Sequence, residues 1–145
     1  MLPLLPVAIG QTAILYLFAI PLGLTVSMNI LYAILGIIPM AVFNIALGLL
    51  CGSLLNVKQV GGICGAALTN LSAWVSGGWF DLKLAGGLFE RIANVLPFVH
   101  AAEFEKALFI GNLEDAAAHI LPVLLYSVLI TLVAVLCFLQ QMKRQ

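Results

Sequence analysis

The chain has 145 residues, of which 63% are hydrophobic and only 8% charged, and its mean hydropathy is +1.18. Soluble domains carry about 25% charged residues, so six basic and six acidic side chains cannot clothe this body in a water-compatible surface. Lipid is the expected solvent around most of it, which excludes a soluble enzyme, a nucleic-acid binder and a disordered tail.

The charges cancel, so their placement carries the information. None precedes Lys58 and none lies between Asp115 and Lys143. They collect at Lys58, in a block from Asp81 to Asp115, and at Lys143-Arg144. The three cysteines, Cys51, Cys64 and Cys137, stand in apolar stretches and read as small buried hydrophobes, with no disulfide framework implied. The opening MLPLLPVAIG enters an apolar segment with no basic flank and no small-residue cleavage site, so a cleaved signal peptide is not expected. A first span without flanking charge is expected of a chain whose native start lies upstream of Met1.

A hydrocarbon core of about 30 Å needs about 20 apolar residues in a helix. Four stretches qualify, over about 4–26, 30–55, 60–80 and 120–139. Ser27-Met28-Asn29 and Asn56-Val57-Lys58-Gln59 are the short links between the first three, which makes neighbours antiparallel. The spacing predicts helices rather than barrel strands, since such strands are about 10 residues of strict alternation. Pro21 and Pro39 are expected to kink the first two spans or to mark where they bend around a neighbour. Basic residues in short loops mark the cytoplasmic side, which puts Lys58 and Lys143-Arg144 inside. The Asp81–Asp115 block then falls outside, with three basic residues against six acidic ones.

Between 84 and 112 run two short helical patterns broken at Pro97. Leu88, Phe89, Ile92, Val95 and Leu96 share one face, with Glu90, Arg91 and Asn94 opposite; Val99, Ala102, Leu108 and Phe109 repeat the pattern more weakly beside Glu103, Glu105 and Lys106. Each piece is too short to span. The reading is an outer re-entrant or interfacial hairpin, and an amphipathic pair lying flat on the lipid is the alternative. The expected fold is therefore all-α and polytopic, a single transmembrane domain over 1–145 with about four spanning helices.

Catalytic patterns are missing. There is no GxxxxGK[ST] and no HExxH, and His100 and His119, nineteen positions apart, make a poor metal pair. Ser76 in Trp74-Val75-Ser76-Gly77-Gly78 invites comparison with rhomboid-type intramembrane proteases. Those carry a glycine two residues before the serine, where Trp74 stands here, so the serine-glycine pair reads better as a helix end. No metal and no cofactor are expected in this chain. Gly48-xxx-Gly52, Gly61-xxx-Gly65 and Gly62-xxx-Ala66 are stripes that let helices approach closely, within or between subunits. Among the polar residues within spans (Gln11, Thr12, Asn44, Thr69, Asn70, Ser72 and Thr131), Asn44, Asn70 and Ser72 are the candidates for lining a route.

The order of these elements resembles the carboxy-terminal half of the membrane subunits of type-2 ABC exporters. The similarity is strongest over Leu71–Asn112, where LSAWVSGGWFDL looks like the serine-glycine end of that family's fifth helix. ERIANVLPFVHAAEFEKALFIGN looks like its helix, Leu-Pro break and second helix. The family often has a proline after the glycine-aromatic turn, where Asp81 or Leu82 stands here, and its first two helices, amphipathic amino-terminal helix and coupling helix have no counterpart. The resemblance implies a transport subunit, not an enzyme, that forms the path for a hydrophobic or amphipathic substrate in the cell membrane, carboxy terminus inside. It also implies a second permease subunit and a separate ATP-binding subunit that carries the ATP and Mg. Glu90, Arg91, Pro97 and Glu103 would belong to an outer gate. A small membrane accessory or assembly protein is the alternative.

Overall fold

Backbone polar groups in hydrocarbon must be satisfied within their own segment, so an apolar chain of this kind folds as helices. The computed structural model describes residues 3–143, and among them every regular element is helical and none is a strand. Helix α1 (Leu4–Ala19) ends in a 3-10 turn, Ile20–Leu22, closed by Gly23 at φ +104° with its N–H on Ile20 O. Pro21 thus marks the end of the first span and does not kink it. Helices α2 (Asn29–Gly36) and α3 (Ile38–Leu54) continue one another. Their junction falls at Ile37, because Pro39 has no N–H to extend an unbroken ladder across it.

Helix α4 (Val57–Val60), a π-helical stretch (Gly61–Leu68) and α5 (Thr69–Val75) run on from one another. The three glycines in the widened stretch leave it free of side-chain crowding, and Thr69 Oγ1 donates to Cys64 O five residues back at 3.2 Å. A single turn, α6 (Leu82–Ala85), is capped by the Asp81 carboxylate, which accepts from Lys83 N at 3.0 Å. Helices α7 (Gly87–Val95) and α8 (Pro97–Ile110) meet at Leu96, held extended by the proline that follows it. Gly111, at φ +86°, ends α8: its N–H returns to Leu108 O and that of Asn112 to Ala107 O, a Schellman closure. Asn112 then caps α9 (Leu113–Met142), whose first turn carries Glu114 and Asp115 against the positive end of its dipole.

Among the described residues three helices are long and apolar enough to cross a membrane: Leu4–Leu22, Asn29–Leu54 and Leu113–Met142. The expected 60–80 span is helical over Val57–Val75 instead and is not one of the three. Lys58, Gln59, Thr69, Asn70 and Ser72, together with its glycines, keep its hydropathy low. The last helix starts well before the expected 120, because Asn112 and its acidic first turn already provide a sound amino-terminal end.

The tertiary structure is built around α9. Helices α3 and α9 pack together over much of their length, with Phe43 and Ala46 buried on α3 and Val123, Ser127 and Ala134 buried on α9. Ser127 Oγ lies 2.7 Å from Pro39 O, a bond between the two rods. Helix α8 lies against both α2 and α9, with Ala33, Phe104, Ala107, Leu108 and Ala116 forming one core. Its start belongs to a second core, where Phe98 meets Phe43 edge-on at 5.7 Å between ring centroids. Phe43 stands about four turns, roughly 20 Å, along the rod from Asn29, and Asn29 Nδ2 donates to Phe109 O at the opposite end of α8. The elbow at Leu96-Pro97 therefore sits beside the middle of α3, and Tyr126 of α9 donates to Val95 O there at 2.8 Å.

Only part of the expected apolar face of α7 is used. Ala93 is buried, and Phe89 and Leu96 pack on the second core, whereas Leu88, Ile92 and Val95 are 74%, 50% and 65% exposed. Gly36 lies where α2 and α8 come close, since a Cβ there would crowd the Leu108, Glu105 and Phe104 side chains. Gly36→Val is expected to destabilise the fold by about 1–3 kcal/mol, the usual effect of overpacking. Gly48→Ala and Gly52→Ala, which meet open space, leave thermal unfolding in mild detergent unchanged or slightly raised. Equal loss in all three variants would show that α2 and α8 do not pack through Gly36.

Candidate functional site

A cavity of about 640 Å³ lies between the end of the α5 segment, the α7–α8 hairpin and α9. Its wall includes Ser76 through Lys83, then Glu90, Asn94, Val99, His100, Glu103, Lys106 and His119. In a chain so poor in charge, five charged side chains and both histidines around one cavity is a concentration that packing in lipid does not require. Glu103 and Lys106 pair one turn apart on α8 at 2.8 Å; being half-exposed, the pair contributes little to stability.

The histidines, far apart in sequence, meet because Gly111-Asn112 folds α9 back along α8. Their Nδ1 atoms are 3.1 Å apart, and His100 Nε2 is 2.9 Å from Asn94 O. A carbonyl oxygen only accepts, so His100 carries its proton on Nε2 and presents a bare Nδ1, to which His119 Nδ1–H donates. The chain Asn94–His100–His119 thus links α7, α8 and α9.

A second cavity of about 220 Å³ lies between α3 and the α5 segment, lined by Asn44, Leu47, Gly48, Cys64, Leu68, Thr69 and Ser72. Asn44 and Ser72 are thereby brought together, and Thr69 joins them. Asn70, the third candidate for the route, is exposed and outside this wall. Each polar group here donates to a carbonyl of its own helix: Asn44 Nδ2 to Met40 O at 3.0 Å and Ser72 Oγ to Leu68 O at 2.6 Å. Of the four residues expected at an outer gate, Glu90 and Glu103 line the large cavity, Pro97 is buried at the elbow, and Arg91 is exposed away from it. Gly48, Gly52, Gly61 and Gly65 each have nothing within 4 Å of where a Cβ would stand.

Glu105 went unremarked in the sequence as a site. It stands one turn from Ala101 and Leu108 on the face of α8 that packs against α2, and its Oε1 is buried without a hydrogen-bond partner. Burial pushes its carboxyl up to about 7. The sequence signal was present: Phe98, Ala101, Phe104 and Leu108 mark an apolar face, and an acid at position 105 interrupts it. Among the described residues no group of three or more His, Cys, Asp or Glu side chains is placed to hold a metal ion.

The class defined by these features is that of an all-helical protein bearing apolar helices of membrane-spanning length. Comparison with protein-family models, curated proteins and solved structures finds no match to this chain.

The raised Glu105 carboxyl has a consequence for stability. The folded state holds a proton that the unfolded chain has released between about pH 4.5 and 7, so its contribution is full below pH 4.5 and lost as pH rises through 7. The melting temperature of the wild type in mild detergent is expected to fall across that window relative to Glu105→Gln, whose profile is flatter. Parallel profiles for the two proteins would show that Glu105 is not protonated in the folded state.

Proposed function

We propose that this chain forms the membrane-spanning path of an ATP-driven exporter of the type-2 ABC class, working with a second permease subunit and a separate ATP-binding subunit. The observation that carries the reading is the polar cavity beside a helical hairpin whose elbow lies about 20 Å along the neighbouring rods. Charged side chains set between apolar rods are costly in lipid and are found facing water-filled cavities or transport routes. In this reading the chain has four spans, Val57–Val75 being the third, kept soft by its π-helical stretch. The α7–α8 hairpin is re-entrant from the outer face, and both termini lie in the cytoplasm of a cell membrane.

The cavity of Asn44 and Ser72 is then a station on the route, and the larger one, with Glu90 and Glu103, the outer vestibule. Switching between inward and outward arrangements moves the hairpin against α9, a motion that the Asn94–His100–His119 chain resists. No covalent chemistry falls to this chain, and ATP and Mg belong to the partner. The open glycine faces of α3 and the π-helical stretch support close docking of another membrane helix. That docking also suits the second reading, a membrane accessory protein without transport of its own.

Two measurements test this. In a cysteine-free background, single cysteines at Lys83 and Glu103 are expected to react with a membrane-impermeant maleimide in intact cells, while cysteines at Lys58 and Lys143 react only after permeabilisation. Labelling of position 58 from outside would overturn the topology. A carboxy-terminal tag is expected to retrieve an ATP-binding subunit in mild detergent, and Asn44→Ala with Ser72→Ala to lower export several-fold at equal expression. Retrieval without any ATPase would give the lead to the accessory reading.

A further inference from the structure

The third cavity is a groove of about 320 Å³, open on one side, where the start of α3 and the end of α5 face α8. Its wall is apolar, with Ile37, Met40, Phe98 and Ala102 among its residues, apart from the Ser72 and Ser76 hydroxyls and one carboxyl group, Glu105. Both hydroxyls donate to carbonyls of their own segment, Ser72 to Leu68 O and Ser76 to Ala73 O. Among the described residues the acid has no counter-ion: Lys106, its neighbour in sequence, is taken by Glu103 at 2.8 Å, and no cationic residue lines the groove. A buried carboxyl oxygen without a partner is a lasting cost to the fold.

The occupant that such a wall favours follows by elimination. An inorganic cation demands several oxygen ligands at once, and one carboxylate with two committed hydroxyls does not supply them. An anion meets the field of Glu105, and a neutral apolar molecule leaves the carboxyl unpaired. A cation whose charge is wrapped in hydrocarbon or aromatic groups satisfies the acid and the apolar wall together. We infer that the groove binds a lipophilic monovalent organic cation, with Glu105 as its counter-ion. As an assignment of substrate class this rests on the exporter reading, whereas the binding event itself does not.

The state of the carboxyl, pushed up to about 7, makes the proton a competitor, so that cation binding releases it. The ionisable groups around Glu105 are Tyr16 on α1, which feels its charge, and Glu103 and Lys106 on its own helix, which pair with each other. The other elements lining the groove bring no titratable group to it.

The test is equilibrium dialysis of radiolabelled tetraphenylphosphonium against the purified full chain in mild detergent, with tetraphenylborate as the anion of the same shape. Binding of the cation is expected to strengthen at least about tenfold from pH 5.5 to 8.5, as the carboxyl ionises. Glu105→Gln is expected to lose both that rise and the tight binding, and Glu105→Asp to keep part of each. Ala102→Phe, which fills the groove without touching the charge, should weaken binding at every pH. Equal binding by wild type and Glu105→Gln, or equal affinity for cation and borate at pH 8.5, would overturn the assignment. Neither result depends on an ATPase, so the two readings fail separately: cation binding without export refutes the exporter and leaves the site standing, while export with binding indifferent to Glu105 does the reverse.

Discussion

Helix α8 is held in the angle between the α2–α3 rod and α9, and the rest of the architecture depends on that seating. It is possible because position 36 has no side chain, so that Leu108, Phe104 and the Glu105 carboxyl come directly against the backbone of α2. Lipid offers no hydrophobic drive for helices to associate, so close van der Waals approach and a few well-placed hydrogen bonds must do it. Here these are Asn29 to Phe109 O at one end of α8, Tyr126 to Val95 O at the elbow, and Ser127 to Pro39 O between the long rods. With α8 in place, α7 has only one side on which to pack, and the large polar cavity is the space left between them and α9.

The same seating explains the distribution of polar groups. A chain with only twelve charged side chains has placed five of them around one cavity and has left the exposed surfaces of α1, α3 and α9 almost wholly apolar. Polar side chains elsewhere in the rods, such as Thr12, Asn44 and Thr131, each return a donor to the carbonyl four residues back, which for the two threonines satisfies the hydroxyl proton within the helix. Glu105 departs from both solutions, since it does not line the large polar cavity and its buried Oε1 has no hydrogen-bond partner.

Much of this was legible in the chain. Helix length and apolar run defined the first, second and last rods, and Pro97 announced the elbow because the residue before a proline is driven out of the helical region. Other features were not. Val57–Val75 was readable as apolar, but its widening depends on backbone hydrogen bonds that glycines permit without specifying. The exposed side of α7 looked as apolar as the side that packs, since periodicity shows that a face exists and not which half of it finds a partner. The glycine stripes were conspicuous and meet nothing within this chain, whereas the lone Gly36 carries the tightest contact.

Composition and periodicity alone determined that the protein is helical and that it carries apolar helices of membrane-spanning length, because those properties follow from each segment's own hydrogen bonds and hydropathy. The meeting of His100 with His119, of Asn44 with Ser72 and of Glu105 with Gly36 was decided only by the tertiary structure. Each pair joins two separate helices, and the rotation and depth of one helix against another are set by packing that no single segment encodes.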